Sequence, residues 1–170
     1  MTATSASHRV NLLIEPLREA DLGELLTVQR AAFLRDAQLY GNPFLPSLTQ
    51  TLEQLRADSA DPNRRFLVAK LGARLVGSVR AVRKGRSIHI SRLLTAPDLE
   101  GCGIGGSLLA AIEAVTAGDA DFFELSTGTK SGANIEMYQR RGYHIVAEST
   151  DDAGIRVVNM SKAAQRSVLK

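Results

Sequence analysis

Apolar and polar positions along this chain change period several times, and each change marks an element. Leu12 to Glu15 alternates as a first strand. From Leu22 onward the apolar residues Leu22, Leu25, Leu26, Val28, Ala32 and Phe33 recur at helical spacing behind Arg18-Glu19-Ala20-Asp21. Gly41-Asn42-Pro43-Phe44-Leu45-Pro46 breaks that helix. A second helix through Leu48, Leu52 and Leu55 is predicted, with Ser47 as its cap and Asp61-Pro62-Asn63 as its end. Three strand-like runs follow, 66–71, 75–83 and 87–95. The links between them, Gly72-Ala73-Arg74 and Lys84-Gly85-Arg86, are short enough for an antiparallel meander. Helix 105–117, strand 122–126, helix 131–141 and strands near 143–148 and 155–161 complete an α/β chain of the α+β kind.

Composition narrows the class. A chain of 170 residues is one domain by size, long enough for a sheet with helices on both faces. We expect a single domain over residues 10–170 behind a disordered tail, residues 1–9. No apolar run approaches the roughly 20 residues of a membrane span, and Val10-Asn11-Leu12-Leu13-Ile14 is too short for a signal-peptide core. The expectation is a cytoplasmic protein with no membrane partner. Cys102 is the single cysteine, which excludes an intrachain disulfide and argues against a zinc site, so no metal is expected. A net charge of +3 does not specify a nucleic acid. The basic residues Arg80, Arg83, Lys84 and Arg86 read as a solvated hairpin tip, and Arg140 and Arg141 form a second basic group.

The candidate chemistry begins at Glu100-Gly101-Cys102-Gly103-Ile104-Gly105-Gly106-Ser107-Leu108-Leu109, a glycine-dense turn between a strand and a helix. Glycines let the backbone aim its amides at one point, and the helix behind adds partial positive charge there, which suits a phosphate. No lysine follows Gly105 or Gly106, so the loop is not a nucleoside-triphosphate P-loop. Gly101, Gly103 and Gly106 do satisfy G-x-G-x-x-G, with Asp121 or Glu124 at a tolerable distance. The loop's place behind antiparallel strands argues against a dinucleotide fold.

A second segment, Ser131-Gly132-Ala133-Asn134-Ile135-Glu136-Met137-Tyr138-Gln139-Arg140-Arg141-Gly142-Tyr143, opens after a strand with Ser131 as a helix N-cap. It puts Asn134 and Tyr138 on one helix face. With both motifs in this order, most of the stretch from Leu75 to Val146 resembles the GNAT superfamily of N-acetyltransferases. The resemblance implies a mixed, mostly antiparallel central sheet of about six to seven strands, with acetyl-coenzyme A as co-substrate in a cleft where the sheet splays. It also implies a primary amine of a small molecule or peptide as acceptor.

Carried onto this sequence, the cofactor contacts are the backbone of Leu93, Leu94 and Thr95, the loop Gly101, Cys102, Gly103, Ile104, Gly105, Gly106 and Ser107, and Ser131, Asn134 and Tyr138. Tyr138 stands where the family's general acid stands, and a phenol keeps its proton at neutral pH. Glu100 departs from the Arg or Gln usual at that position, and Ser131 from the usual Asn. No glutamate base stands out, which leaves His89 and Glu124 as candidates, with Ser91 and Ser126 at the neighbouring places. Relatives often dimerise through late strands, so a homodimer is a further expectation. Two rival readings are a non-catalytic coenzyme A binding or sensing module and a nucleotide-binding regulatory domain.

Overall fold

The computed structural model describes residues 11–165; the expected tail lies outside them. The elements are β1 (Leu12–Pro16), α1 (Leu22–Tyr40), α2 (Pro46–Thr49), α3 (Leu52–Ala60), β2 (Arg64–Leu71), β3 (Arg74–Lys84) and β4 (Ser87–Thr95). They continue with α4 (Ile104–Thr116), β5 (Phe122–Gly128), α5 (Gly132–Arg140), β6 (His144–Thr150) and β7 (Arg156–Ala163). A 3-10 turn, Glu19–Asp21, leads into α1, and Gly41 ends it in the left-handed conformation at φ 63°. Two predicted caps are corrected. Ser47 lies inside the short α2, and α3 is capped by Thr51, whose hydroxyl accepts from the Gln54 amide while the Gln54 side chain accepts from the Thr51 amide. Ser131 occupies the N-cap position of α5, but its side chain does not cap the helix.

The strands form one mixed sheet in the order β1-β2-β3-β4-β5-β7-β6. Every pairing is antiparallel except that of β4 with β5. Helix α4 lies on one face: Ile104, Leu108, Leu109 and Ile112 pack with Val76, Val79, Ile88 and Ile90, and Tyr138 of α5 joins the same cluster. On the other face Leu22, Leu25, Leu26 and Leu55 cover Val68, Leu75 and Leu94.

Leu94 is on the second face because β4 carries an extra residue. Ser78 pairs with Leu94 and Arg80 with Ser91, so Val79 alone opposes Arg92 and Leu93. A β-bulge of this kind shifts the alternation by one. At the bulge Arg92 has φ 52°, the one positive φ among described non-glycine residues.

Candidate active site

Strands β4 and β5 run parallel but stay together only for Ser87–Phe122, Ile88–Phe123 and His89–Glu124. From Ile90 to Thr95 the β5-facing edge of β4 has no strand partner among the described residues. The opening therefore lies at the carboxyl ends of two parallel strands, where α4 and α5 begin, the position at which open sheets bind ligands. Leu93, Leu94 and Thr95 stand on this free edge.

At the root of the opening, His89 Nε2 lies 2.7 Å from Glu124 Oε2, both side chains being 38% exposed. Ser87 donates to the other carboxylate oxygen at 3.1 Å. A carboxylate oxygen this close to a ring nitrogen requires a proton between them. Nε2 therefore carries the hydrogen in the neutral ring, and Nδ1 keeps its lone pair. Burial pulls the His89 pKa below its ordinary value against the opposing pull of Glu124, with Lys84 adding to the decrease. The two candidate bases thus form one unit.

Tyr138 approaches from the α4 face. Its ring is buried, edge-on to Tyr143 at a centroid distance of 5.9 Å. Among the described residues its hydroxyl has no hydrogen-bond partner. Because every fully enclosed side-chain polar atom among the described residues is partnered, that hydroxyl keeps some contact with solvent. Burial, reinforced by the Asp36 carboxylate of α1, pushes its pKa up to about 12. Asn134, one turn earlier, is exposed.

The glycine loop ends at Gly103, which leads into α4 at φ 83° with no side-chain cap. Among the described residues, the amides of Gly103, Ile104, Gly105 and Gly106 are paired with no backbone carbonyl outside the helix, while Ser107 bonds back to Gly103. Space beside Gly101 and Gly103 is open, and Cys102 is exposed. The position a Cβ would take on Gly106 is filled instead by the Arg141 guanidinium, whose Nη2 would be 1.7 Å away. A cation held against a helix N-terminus is electrostatically unfavourable by itself and becomes favourable once an anion lies between them. Amides and guanidinium together fit a pyrophosphate.

The glutamate that departs from the family pattern is engaged elsewhere, since Arg35 Nη1 of α1 lies 3.1 Å from Glu100 Oε2. Helix α1 also reaches the far rim. The Tyr40 hydroxyl fills the space a Cβ would need at Gly128 and hydrogen-bonds Ser131 Oγ at 2.7 Å. Ser131 thus serves as a rim contact.

Sequence reasoning passed over Arg35, Tyr40, Arg92 and the specific place of Arg141. Only the Arg140-Arg141 pair left a signal, as a charge group. Arg80 is also corrected: it is half-buried and bonded to Ser91 and Asp58, not part of a solvated hairpin tip.

A family model described as an acetyltransferase (GNAT) domain matches residues 35–164, well over half of the chain. The chain belongs to the GNAT acetyltransferase family. No curated protein sequence matches it significantly. Solved GNAT structures share the fold. The PaiA N-acetyltransferase from Thermoplasma acidophilum in complex with coenzyme A superposes with a TM-score of 0.77 at 19% identity, over 90% of this chain and 99% of that one. The ribosomal-protein-S18-alanine N-acetyltransferase from Escherichia coli gives 0.74 at 12% identity, over 94% and 99%. The spermidine N-acetyltransferase from Vibrio cholerae in complex with coenzyme A and spermine gives 0.72 at 15%, over 90% and 95%.

Proposed function

We propose that this GNAT protein is an N-acetyltransferase moving the acetyl group of acetyl-coenzyme A to a primary amine of a small molecule or peptide, by direct attack on the thioester. The observation that carries the reading is the parting of β4 from β5 immediately beyond the His89–Glu124 contact, with α5, which carries Tyr138, starting at the carboxyl end of β5. The solved N-acetyltransferases of like fold, named for a ribosomal-protein alanine and for spermidine, support the class, as does the coenzyme A in two of those structures.

Acetyl-coenzyme A supplies an acyl group activated as a thioester. The amides from Gly101 to Ser107, with Arg141, hold its pyrophosphate. The open edge at Leu93, Leu94 and Thr95 receives the pantetheine as a further strand would be received, and Asn134 and Ser131 contribute polar contacts at the rim. A lysine-like amine is mostly protonated at neutral pH, since its pKa is about 10.4. His89 Nδ1 takes the proton, directly or through water, and the Glu124 carboxylate stabilises the imidazolium. A backbone amide on the open edge of β4 faces the negative charge that grows on the carbonyl oxygen. As the C–S bond breaks, Tyr138, still protonated because its ring is buried, gives its proton to the departing sulfur, and the second proton that the acetylated nitrogen sheds restores the phenol through solvent.

The test is calorimetric titration with acetyl-coenzyme A, with ATP and NAD as controls, followed by an amine panel on the unaltered protein and Tyr138→Phe. Micromolar binding of acetyl-coenzyme A alone is expected. In Tyr138→Phe binding should persist while turnover falls about 10²- to 10⁴-fold. Absence of acetyl-coenzyme A binding would sink the proposal. The rival coenzyme A sensing module drew on Glu100 and on the lack of an obvious base. Glu100 is engaged by Arg35, and turnover of any amine would dispose of that rival.

A further inference from the structure

The α1 and α3 face of β4 carries a second group of side chains that the acetyl-transfer chemistry leaves unused. Arg80 donates to Ser91 Oγ at 3.1 Å and to Asp58 Oδ2 at 3.2 Å. Asp58 is already shared: Arg64 Nη1 lies 3.1 Å from its Oδ1, and Gln50 donates to the same Oδ2 as Arg80 at 2.8 Å. Arg64 takes Asp61 as well, at 3.0 Å.

Arg92 stands beside this group, and among the described residues it has neither a hydrogen-bond nor an ion-pair partner. Its side chain is half-buried with no fully enclosed polar atom left unpaired, so the guanidinium nitrogens keep contact with solvent. Burial, with the like charge of Arg80 beside it and only partial relief from Asp58, draws its pKa down to about 10. Its backbone is strained as well, at φ 52°. A left-handed conformation is strained for a non-glycine residue and not for glycine. What arginine adds at this position is its cation.

We propose that Arg92, backed by Arg80, is the acceptor's anion subsite, and that the amine this protein acetylates carries an oxyanion group, a carboxylate or a phosphate, near its nitrogen. The inference rests on the acetyltransferase reading. His89 and Arg92 are three positions apart on one strand, about 10 Å along its axis, so a molecule of amino-acid size reaches both side chains. The guanidinium fork meets two oxygens at once, which an ammonium does not match. A polyamine would bring its second cation against Arg80 and Arg92.

The probes are reaction products, whose amine charge is already gone. N-acetyl amino acids are compared with their primary amides, and N-acetylglucosamine 6-phosphate with N-acetylglucosamine, by calorimetry on the full chain without coenzyme A. In at least one arm the anion should bind tenfold or more tightly than its neutral counterpart. Arg92→Gly should erase that preference while melting no lower than the unaltered protein, because glycine accepts the bulge conformation, and Arg92→Lys should keep part of it. Equal binding of anion and neutral counterpart in both arms, or a preference that survives Arg92→Gly, would overturn the subsite. Acetyl-coenzyme A titration judges the transferase reading separately, so a protein that binds acetyl-coenzyme A without any anion preference loses the subsite alone.

Discussion

Burial acts on the two central titratable side chains with opposite consequences for their charge states. At Tyr138 it favours the protonated phenol, and at His89 the neutral imidazole. A donor that keeps its proton and an acceptor that is free of one therefore coexist at neutral pH. For His89 the sign is definite: the folded-state pKa lies below about 6.5, so the proposed base is predominantly neutral at higher pH values. The acid limb of kcat/KM should rise with an apparent pKa below that value. Glu124 pulls the His89 pKa upward, so Glu124→Gln should move the limb to still lower pH, and His89→Gln should remove it. A pH–rate series on the three proteins measures this, and a limb unmoved by Glu124→Gln would take the pair out of the reaction.

Among the elements, the anion site proposed at the start of α4 rests on what is missing there: no capping side chain and no Cβ at Gly106. In Gly106→Ala the atoms nearest the new methyl all belong to the tip of the flexible Arg141 side chain, and alanine favours helix over glycine by about 1 kcal/mol. The variant should melt at or above the unaltered protein. Displacing Arg141 removes a charge-assisted contact of about 1.5–3 kcal/mol, so acetyl-coenzyme A affinity should drop roughly tenfold or more. Paired melting and calorimetry decide it, and an affinity equal to that of the unaltered protein would place Arg141 outside the cradle.

The order of strands and helices was legible because apolar period and glycine punctuation are local properties. So was the loop before α4. The caps were less so: Ser47 and Ser131 carry cap chemistry, but a hydroxyl bonds whichever partner the fold presents, and for Ser131 that partner is Tyr40, 91 positions away. Arg92 was also hidden, because a bulge depends on the register of two strands and leaves no mark on one.

At the scale of the whole molecule, Lys70 of β2 ties the N-terminal edge together, reaching Glu15 of β1 at 2.8 Å and Asp21 at the entrance to α1 at 2.7 Å. For Asp21, burial alone would raise the pKa, but the Lys70 and Arg18 hydrogen bonds hold it below its ordinary value. For Glu15 the Lys70 hydrogen bond is the main cause of the same decrease. Depressed carboxylate pKa values stabilise the fold above the unfolded values, near 4, and that stability is lost as pH falls through the folded ones. Melting temperature should therefore drop between about pH 4 and pH 2. In Lys70→Met it should start lower and change less across that window. Parallel slopes in the two proteins would assign acid sensitivity to other carboxylates.

The sequence by itself determined the succession of elements, the glycine loop, the helix carrying Asn134 and Tyr138, and thereby the family, because each is written in neighbouring residues. Only the tertiary structure decided that His89 and Glu124 meet, that Arg35 engages Glu100, that Arg141 fills the space left by Gly106, and that Arg92 is left without an ion-pair partner among the described residues. These are relations between residues far apart in the chain, and the physical reason is the sheet itself. The pairing of β4 with β5 stops at His89, and the extra residue in β4 turns the strand from there. Where strands part, and which side chains line the gap, depends on register and packing across the molecule.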